Sequence, residues 1–325
     1  MHAKAVRLTS IGGPEVIAWT DFDLKEPGAG EVLVEHTAVG LNMIDTYHRS
    51  GLYPIPIPGG LGVEAAGRVV AVGDGVTGLQ VGDRVATFGP ELGAYATARI
   101  YAQSALFKLP DSIADEVAAA AILKGFTVEF LVERCARVEA GWPVLVHAAA
   151  GGVGLMLVQW LKHIGATVIG TVSTPAKAEA AHAAGADHVI DYAREDVAPR
   201  VRELTSGAGV SVAFDGVGKD TWEASLGSTA RRGLIVSYGN ASGPVSGVAL
   251  GSLAQKGSLF VTRPTLYHYY TEPAERAAGS ARVWDMIASG TVKVSIGQRY
   301  ALGDVAQAHR DLEARRTTGS TVLTI

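Results

Sequence analysis

The residues Ala148-Ala149-Ala150-Gly151-Gly152-Val153-Gly154 separate a short apolar run, Val144-Leu145-Val146-His147, from an apolar stretch with helical spacing, Leu155 to Ile164. The run reads as a buried strand and the stretch as a helix, so the small residues form the turn between them. Without bulky side chains, the backbone of such a turn can approach a diphosphate. The start of the helix offers N–H groups without intrahelical partners and the positive end of the helix dipole. The pattern is a variant of the glycine fingerprint of dinucleotide-binding folds, with Ala149 in the place of its first glycine. Gly151, Gly152 and Val153 are the residues expected at the diphosphate.

The strand that follows, residues 167–172, runs into Ser173-Thr174-Pro175-Ala176-Lys177. NAD sites place an acid about 20 residues beyond the fingerprint, where it accepts from the ribose 2′-hydroxyl. No acid stands here. Ser173 and Thr174 can donate hydrogen bonds and Lys177 can supply charge, which suits a 2′-phosphate and points to NADPH. The plainer use of Lys177 is as a solvated lysine early in a helix.

These residues need elements to position them. Segments 188–191, 210–215 and 233–238 read as further strands, alternating with helical stretches such as 175–184, and that alternation implies a doubly wound parallel sheet. Residues 258–262 read as a late strand at a sheet edge, apolar and able to pair. The first third has a different texture: short strands at 31–39 and 65–73, broken by Gly75, Gly78 and Gly82-Asp83-Arg84, suggest an antiparallel, barrel-like domain. Between the two textures, residues 113–138 have helical spacing, and Gly125 is expected to divide them into two helices at the domain boundary. The tail from Ser280 carries a helix around Trp284, another around Leu312 and a closing strand at 321–323. It is assigned to the first domain. The expected organisation is therefore α/β, with residues 1–125 and 265–325 in one domain and 126–264 in an inserted dinucleotide-binding domain.

Bulk properties agree. A chain of 325 residues exceeds what one core usually serves, and 48% hydrophobic against 18% charged residues suits a globular protein with ample core. A net charge of −4 and the lack of a basic, aromatic-rich stripe argue against nucleic acid as a partner. The single cysteine, Cys135, excludes an intrachain disulfide and a multi-thiolate metal site. The start, Met1 to Arg7, reads as a charged strand rather than a signal peptide, and no apolar run reaches spanning length, so a cytoplasmic location is expected.

The layout resembles the medium-chain alcohol dehydrogenases, in which the turn at Gly62-Val63-Glu64 carries a zinc-binding histidine. Here Val63 occupies that place, and the cysteine ligand expected near Asn42 is missing. The whole chain resembles one branch of that superfamily, the zinc-free NADPH:quinone oxidoreductases that include zeta-crystallin. The resemblance is carried by Gly12-Gly13-Pro14-Glu15-Val16, Asn42-Met43-Ile44-Asp45-Thr46-Tyr47, Ser50-Gly51-Leu52-Tyr53-Pro54, Gly62 to Gly67, His147 to Gly154 and Gly257 to Pro264. It implies a GroES-like β-barrel domain plus a Rossmann domain, NADPH as cofactor and no metal.

Residue by residue, the resemblance puts Asn42, Asp45 and Tyr47 in the catalytic role, with Asn42, Thr46 and Tyr47 also at the nicotinamide. Ser173, Thr174, Lys177 and Tyr192 fall around the 2′-phosphate. Tyr238, Gly239, Asn240 and Ala241, with Pro264, Thr265 and Leu266, fall where backbone fixes the ribose and carboxamide, and Arg315 matches an arginine that contacts the cofactor. Phe130 stands where a tyrosine is often found, which keeps stacking but loses a hydroxyl, and Gly216 replaces a serine. For Asn42 and Asp45 the simpler role is capping the helix that follows. For Tyr47 and Tyr53 it is ordinary aromatic packing. The expected activity is hydride transfer from NADPH to a quinone or similar conjugated carbonyl, with Asn42 and Tyr47 orienting the acceptor oxygen and solvent supplying the proton. Alternatives are a reductase of enone or alkenal double bonds and a non-enzymatic, crystallin-like or RNA-associated NADPH-binding protein. The resemblance also implies a homodimer joined through the edge strand 258–262.

Overall fold

A computed structural model describes residues 1–325. It divides into two compact units, Met1–Lys124 with Val294–Ile325, and Gly125–Lys293.

The first unit is built around the long strand Glu31–Leu41, which pairs antiparallel with Glu64–Val72, with Ala98–Ala102 and with the chain's closing strand Ser320–Thr324. Arg84–Phe88 and Leu106–Lys108 extend the sheet on one side and Ile296–Ala301 on the other. His2–Leu8 belongs to a smaller sheet with Trp19–Asp23 and Gly59–Gly60. This is the expected barrel-like texture. Its main core gathers Val6, Leu8, Val39, Leu41, Leu61, Leu302, Val305 and Leu323. Each such side chain contributes roughly 1.5–3 kcal/mol when fully buried. The closing strand therefore anchors the end of the chain back into the unit where the chain began.

The second unit holds a six-stranded parallel sheet, in the order His188–Asp191, Thr167–Val172, Pro143–Val146, Val210–Asp215, Thr229–Ser237, Phe260–Thr262. A parallel sheet covered on both faces needs nearly continuous apolar strands, which is what Val144-Leu145-Val146 supplies. The strand order reverses between Pro143–Val146 and Val210–Asp215. In open parallel sheets ligands bind beyond the carboxyl ends of the strands at such a reversal.

Several sequence-based expectations need correction. The helix Asp115–Glu129 passes through Gly125 without a break and continues as a π-helix, Phe130–Ala136. Gly125 serves packing: a Cβ there would lie 2.7 Å from Val283 Cγ1 and 3.3 Å from Met156 Cε. Residues 265–293 fall in the second unit, because helix Pro273–Ala288 lays Val283 on Gly125 and Trp284 against Phe126, and joins Arg282 to Glu133. Only the portion from Val294 returns to the first unit. The edge strand is shorter than 258–262, since Ser258 is left-handed (φ 57°) and Leu259 N–H turns back to Leu253. No helix is long and apolar enough to cross a membrane.

Candidate active site

In the second unit, the candidate cofactor residues other than Phe130 cluster at the carboxyl ends of the parallel strands. After Pro143–Val146 the chain turns through Ala148 (φ 52°) to Gly151, and the helix Gly152–Ile164 begins three residues earlier than expected. The first-turn amides of Gly152, Val153 and Gly154 have no intrahelical acceptors, and Gly151, at the N-cap, has no side chain to cap them. The turn tolerates no Cβ at Gly154, where one would lie 2.3 Å from the Ala148 carbonyl oxygen. Gly170 on the neighbouring strand makes the matching allowance for Ala149, whose Cβ would otherwise meet a Cβ at 2.7 Å. The alanine that departs from the fingerprint is thus accommodated by a glycine on the adjacent strand.

One strand over, Thr167–Val172 delivers Ser173 half-buried and Thr174 exposed. Thr174 caps the helix Pro175–Ala183: its Oγ1 accepts from the Lys177 N–H at 3.3 Å, which leaves the hydroxyl proton available to donate. Tyr192 follows the adjacent strand, its N–H on the Val172 carbonyl at 3.1 Å and its ring 42% exposed. No carboxylate lies in residues 171–177.

Beyond the reversal point, Asp215 organises the next turn. Its Oδ1 accepts from Val217 N–H and Gly218 N–H, both at 2.9 Å, and its Oδ2 from Ser225 at 2.8 Å. His147 sits in the same interior, fully buried between Thr171 and Ser225 hydroxyls at 3.1 Å each, so it is a satisfied core histidine. Gly216 leaves the space into which the Tyr238 ring packs, since a Cβ there would lie 2.8 Å from the phenol oxygen. Arg263 fixes the Tyr238–Asn240 segment by donating from Nη1 to the carbonyls of Ser237 and Gly239, both at 2.9 Å. Pro264, Thr265 and Leu266 leave the edge strand at the same end of the sheet. Ala241 is exposed next to Asn240. Phe130 differs: it is buried and stacks on Tyr269, with ring centroids 4.6 Å apart. Cys135 is half-buried with its thiol pKa raised by burial, which suits an inert role.

The first unit holds the remaining candidates. Asn42 ends the long strand in extended conformation and starts the helix Met43–Ser50, which Gly51 closes in the left-handed region (φ 81°). Asp45 caps backwards, its Oδ2 accepting from the Asn42 N–H at 2.9 Å and from the Tyr95 hydroxyl at 2.9 Å. Behind Tyr95 stands His309, whose Nδ1 accepts from Arg49 Nη1 at 2.9 Å. Its Nε2 therefore carries the proton and donates to Tyr95 Oη at 3.0 Å. Burial, reinforced by the Arg49 charge, pushes the His309 pKa down to about 3. Arg49 is itself almost fully buried and ends on Glu313 Oε1 at 2.6 Å.

Asp45 was expected to face a ligand, but it has no exposed surface. Burial pushes its pKa up to about 7, against the opposing hydrogen bonds from Asn42 and Tyr95, and its Oδ1 has no partner. The capping role is the one its contacts describe. Asn42, Thr46 and Tyr47 are also largely buried, Thr46 spending its hydroxyl on the Met43 carbonyl at 2.7 Å and Tyr47 packing edge-on against Tyr53. Arg315 follows the helix Val305–Glu313 and is exposed, with φ 58°.

Sequence reasoning missed two residues of this cluster. Glu64 and Lys124 form an ion pair at 2.6 Å with both side chains buried, and Asn42 Nδ2 donates to the same Glu64 Oε1 at 2.7 Å. A signal was present: Lys124 is the one charge in the apolar run Val117 to Thr127, and a lysine in such a run needs a buried partner. Val63, next to Glu64, is buried and apolar, and no group of three or more His, Cys, Asp or Glu is placed to hold a metal ion.

Comparison with known proteins adds the following. Residues 28–111 match the family model of the alcohol dehydrogenase GroES-like domain, and residues 152–275 that of the zinc-binding dehydrogenases. A quinone oxidoreductase of Pseudomonas aeruginosa is 52% identical over 322 residues, 99% of each chain. The crystal structure of the Pseudomonas syringae quinone oxidoreductase is 53% identical with a TM-score of 0.97, covering 99% of this chain and 100% of that one. The Escherichia coli quinone oxidoreductase complexed with NADPH is 47% identical, also with a TM-score of 0.97 and the same coverage.

Proposed function

The chain belongs to the quinone oxidoreductase family of the medium-chain dehydrogenase/reductase superfamily, and from that premise we propose that it is a zinc-independent NADPH:quinone reductase working by direct hydride transfer. When bound, NADPH supplies the hydride from its nicotinamide. The chain's own residues bind, orient and exclude water. The N–H groups of Gly152, Val153 and Gly154 take the diphosphate at the positive end of their helix. Ser173, Thr174 and Lys177 take the 2′-phosphate, with Tyr192 beside it. Backbone at Tyr238–Ala241 and Pro264–Leu266 holds the ribose and carboxamide, and Arg315 adds a cationic contact. Asn42 and Tyr47 orient the acceptor oxygen, Asp45 holds the start of their helix, and solvent supplies the proton.

One observation carries this reading: a carboxyl sheet edge with open helix amides and a hydroxyl–lysine set where an NAD site would have an acid. Metal independence rests on Val63 and on the lack of a ligand cluster. It is tested on protein dialysed against a strong chelator, with zinc measured by atomic emission. Quinone-dependent NADPH consumption should persist at the untreated rate; activity lost on chelation and restored by zinc would reject it. We also place a homodimer contact at the edge strand Phe260–Thr262, where Phe260 is 61% exposed and such an edge invites pairing. A single-chain mass by sedimentation would exclude it.

A further inference from the structure

The first unit buries a charge pair that neither capping nor core packing requires. Glu64 opens its strand fully enclosed, with Oε1 accepting from Lys124 Nζ at 2.6 Å and from Asn42 Nδ2 at 2.7 Å, and Oε2 accepting from the Leu123 N–H at 2.8 Å. The opposing strand makes room for it at Gly40, where a Cβ would lie 2.1 Å from Glu64 Oε1 and 2.3 Å from the Ala119 carbonyl oxygen. Three elements thus combine to hold one carboxylate. A buried ion pair is a poor source of stability, because desolvation offsets most of the attraction and apolar side chains of similar size would pack as well. What the pair does supply is direction.

A carboxamide can sit in either of two orientations related by a half-turn, with oxygen and nitrogen exchanged. An ionised carboxylate only accepts, so Glu64 admits only the orientation that turns Asn42 Nδ2 toward it. The Oδ1 atom and the second Nδ2 hydrogen are then fixed in direction. We infer that Glu64 and Lys124 are positioning residues for the reaction: together they lock the Asn42 carboxamide in the orientation that meets the acceptor. This rests on the reading of Asn42 as an acceptor-orienting residue. Lys124 supplies the positive charge that keeps Glu64 in place, and Leu123 N–H fixes the carboxylate's second oxygen. Without them only the capping box with the Asp45 N–H bears on the amide, and the hold on Asn42 Nδ2 is lost.

The test is a mutant cycle on the full-length protein. Glu64→Gln with Lys124→Met removes both charges at nearly constant volume, and a Gln at 64 offers either an oxygen or a nitrogen to Asn42. The paired variant should lose about tenfold to a hundredfold in kcat with a quinone, the scale set by small losses of alignment, while KM for NADPH changes less than about threefold. Asn42→Ala should cost a similar factor in the wild-type background and little more in the paired variant, because the lock then has nothing left to act on. A purely structural pair would give losses that multiply. Multiplying losses, or an undiminished kcat in the paired variant, would overturn the inference. If Asn42→Ala is harmless in the wild type, the reading of Asn42 fails first. Glu64→Met with Lys124→Met removes every acceptor from Asn42 Nδ2 without leaving an unpaired buried charge, and serves if the paired variant does not fold; it should reduce kcat in the same way, and an unchanged kcat overturns the inference equally.

Discussion

Ser173→Asp should weaken NADPH binding by about two to three powers of ten, corresponding to roughly 3–4 kcal/mol, while NADH binding holds or improves. The serine sits half-buried at the end of Thr167–Val172, beside the N-terminus of the helix that Thr174 caps. On the proposed placement of Ser173, a carboxylate there would remove a donor to the 2′-phosphate and set a negative charge against a group that is itself nearly doubly negative. The charge-assisted hydrogen bond accounts for about 1.5–3 kcal/mol and the repulsion for the rest, less at high salt. The same carboxylate can accept from a ribose 2′-hydroxyl, which is why NADH is spared. Isothermal titration with the two dinucleotides measures the switch. The substitution lies in a surface turn and leaves the core untouched, so folding should be unchanged. Equal losses for both cofactors would indicate a general distortion and would remove Ser173 from the 2′-phosphate site.

Asp45→Asn is expected to stabilise the protein relative to wild type at alkaline pH and to have little effect in acid. Burial raises the Asp45 pKa from 3.8 to about 7, so between those values the folded state holds a proton that the unfolded state has released. A carboxyl raised in this way loses stability as pH rises through that window, and the penalty is complete above about pH 7. At ~1.4 kcal/mol per pH unit, the difference reaches on the order of 4 kcal/mol. The hydrogen bonds survive, because Asn42 N–H and Tyr95 O–H converge on one oxygen that an asparagine also supplies, while the other oxygen has no partner. Wild-type stability alone would mislead. His36 and His48 are pushed down to about 4 and His309 to about 3, and these lowered histidines give the opposite slope, with stability lost as pH falls below their unfolded values. The quantity to measure is the difference between variant and wild type, from urea unfolding at about pH 4 to 8. A difference that does not grow with pH would mean that Asp45 is ionised throughout.

Much of the second unit was legible in the sequence, because the evidence for it is local. A buried parallel strand is a run of adjacent apolar residues, a glycine turn is contiguous, and the lack of an acid after Val172 can be seen without a structure. What stayed hidden depends on contacts across the chain. Gly125 looked like a helix break because an isolated glycine weakens a helix. Its actual use is to admit Val283, a residue more than a hundred positions away. Helix Pro273–Ala288 was placed with the wrong unit for the same reason, since its partners Phe126 and Glu133 are distant in sequence. Asn42 and Asp45 were found as candidates and the capping alternative was seen. The partners that define them, Glu64, Tyr95, Lys124 and His309, come from a strand, a loop and two helices that no periodicity links. The π-helix at Phe130 also had no local mark, and it turns that ring onto Tyr269.

The most direct test of the account as a whole is the initial rate at which wild-type protein bleaches the near-ultraviolet absorbance of the reduced nicotinamide when a quinone is added, measured in parallel for NADPH and NADH. The account predicts consumption of NADPH that requires the quinone, with kcat/KM for NADPH exceeding that for NADH by about a hundredfold or more, the size expected from losing the charge-assisted contacts to the 2′-phosphate. No quinone-dependent consumption of NADPH, or equal rates with the two dinucleotides, would contradict it.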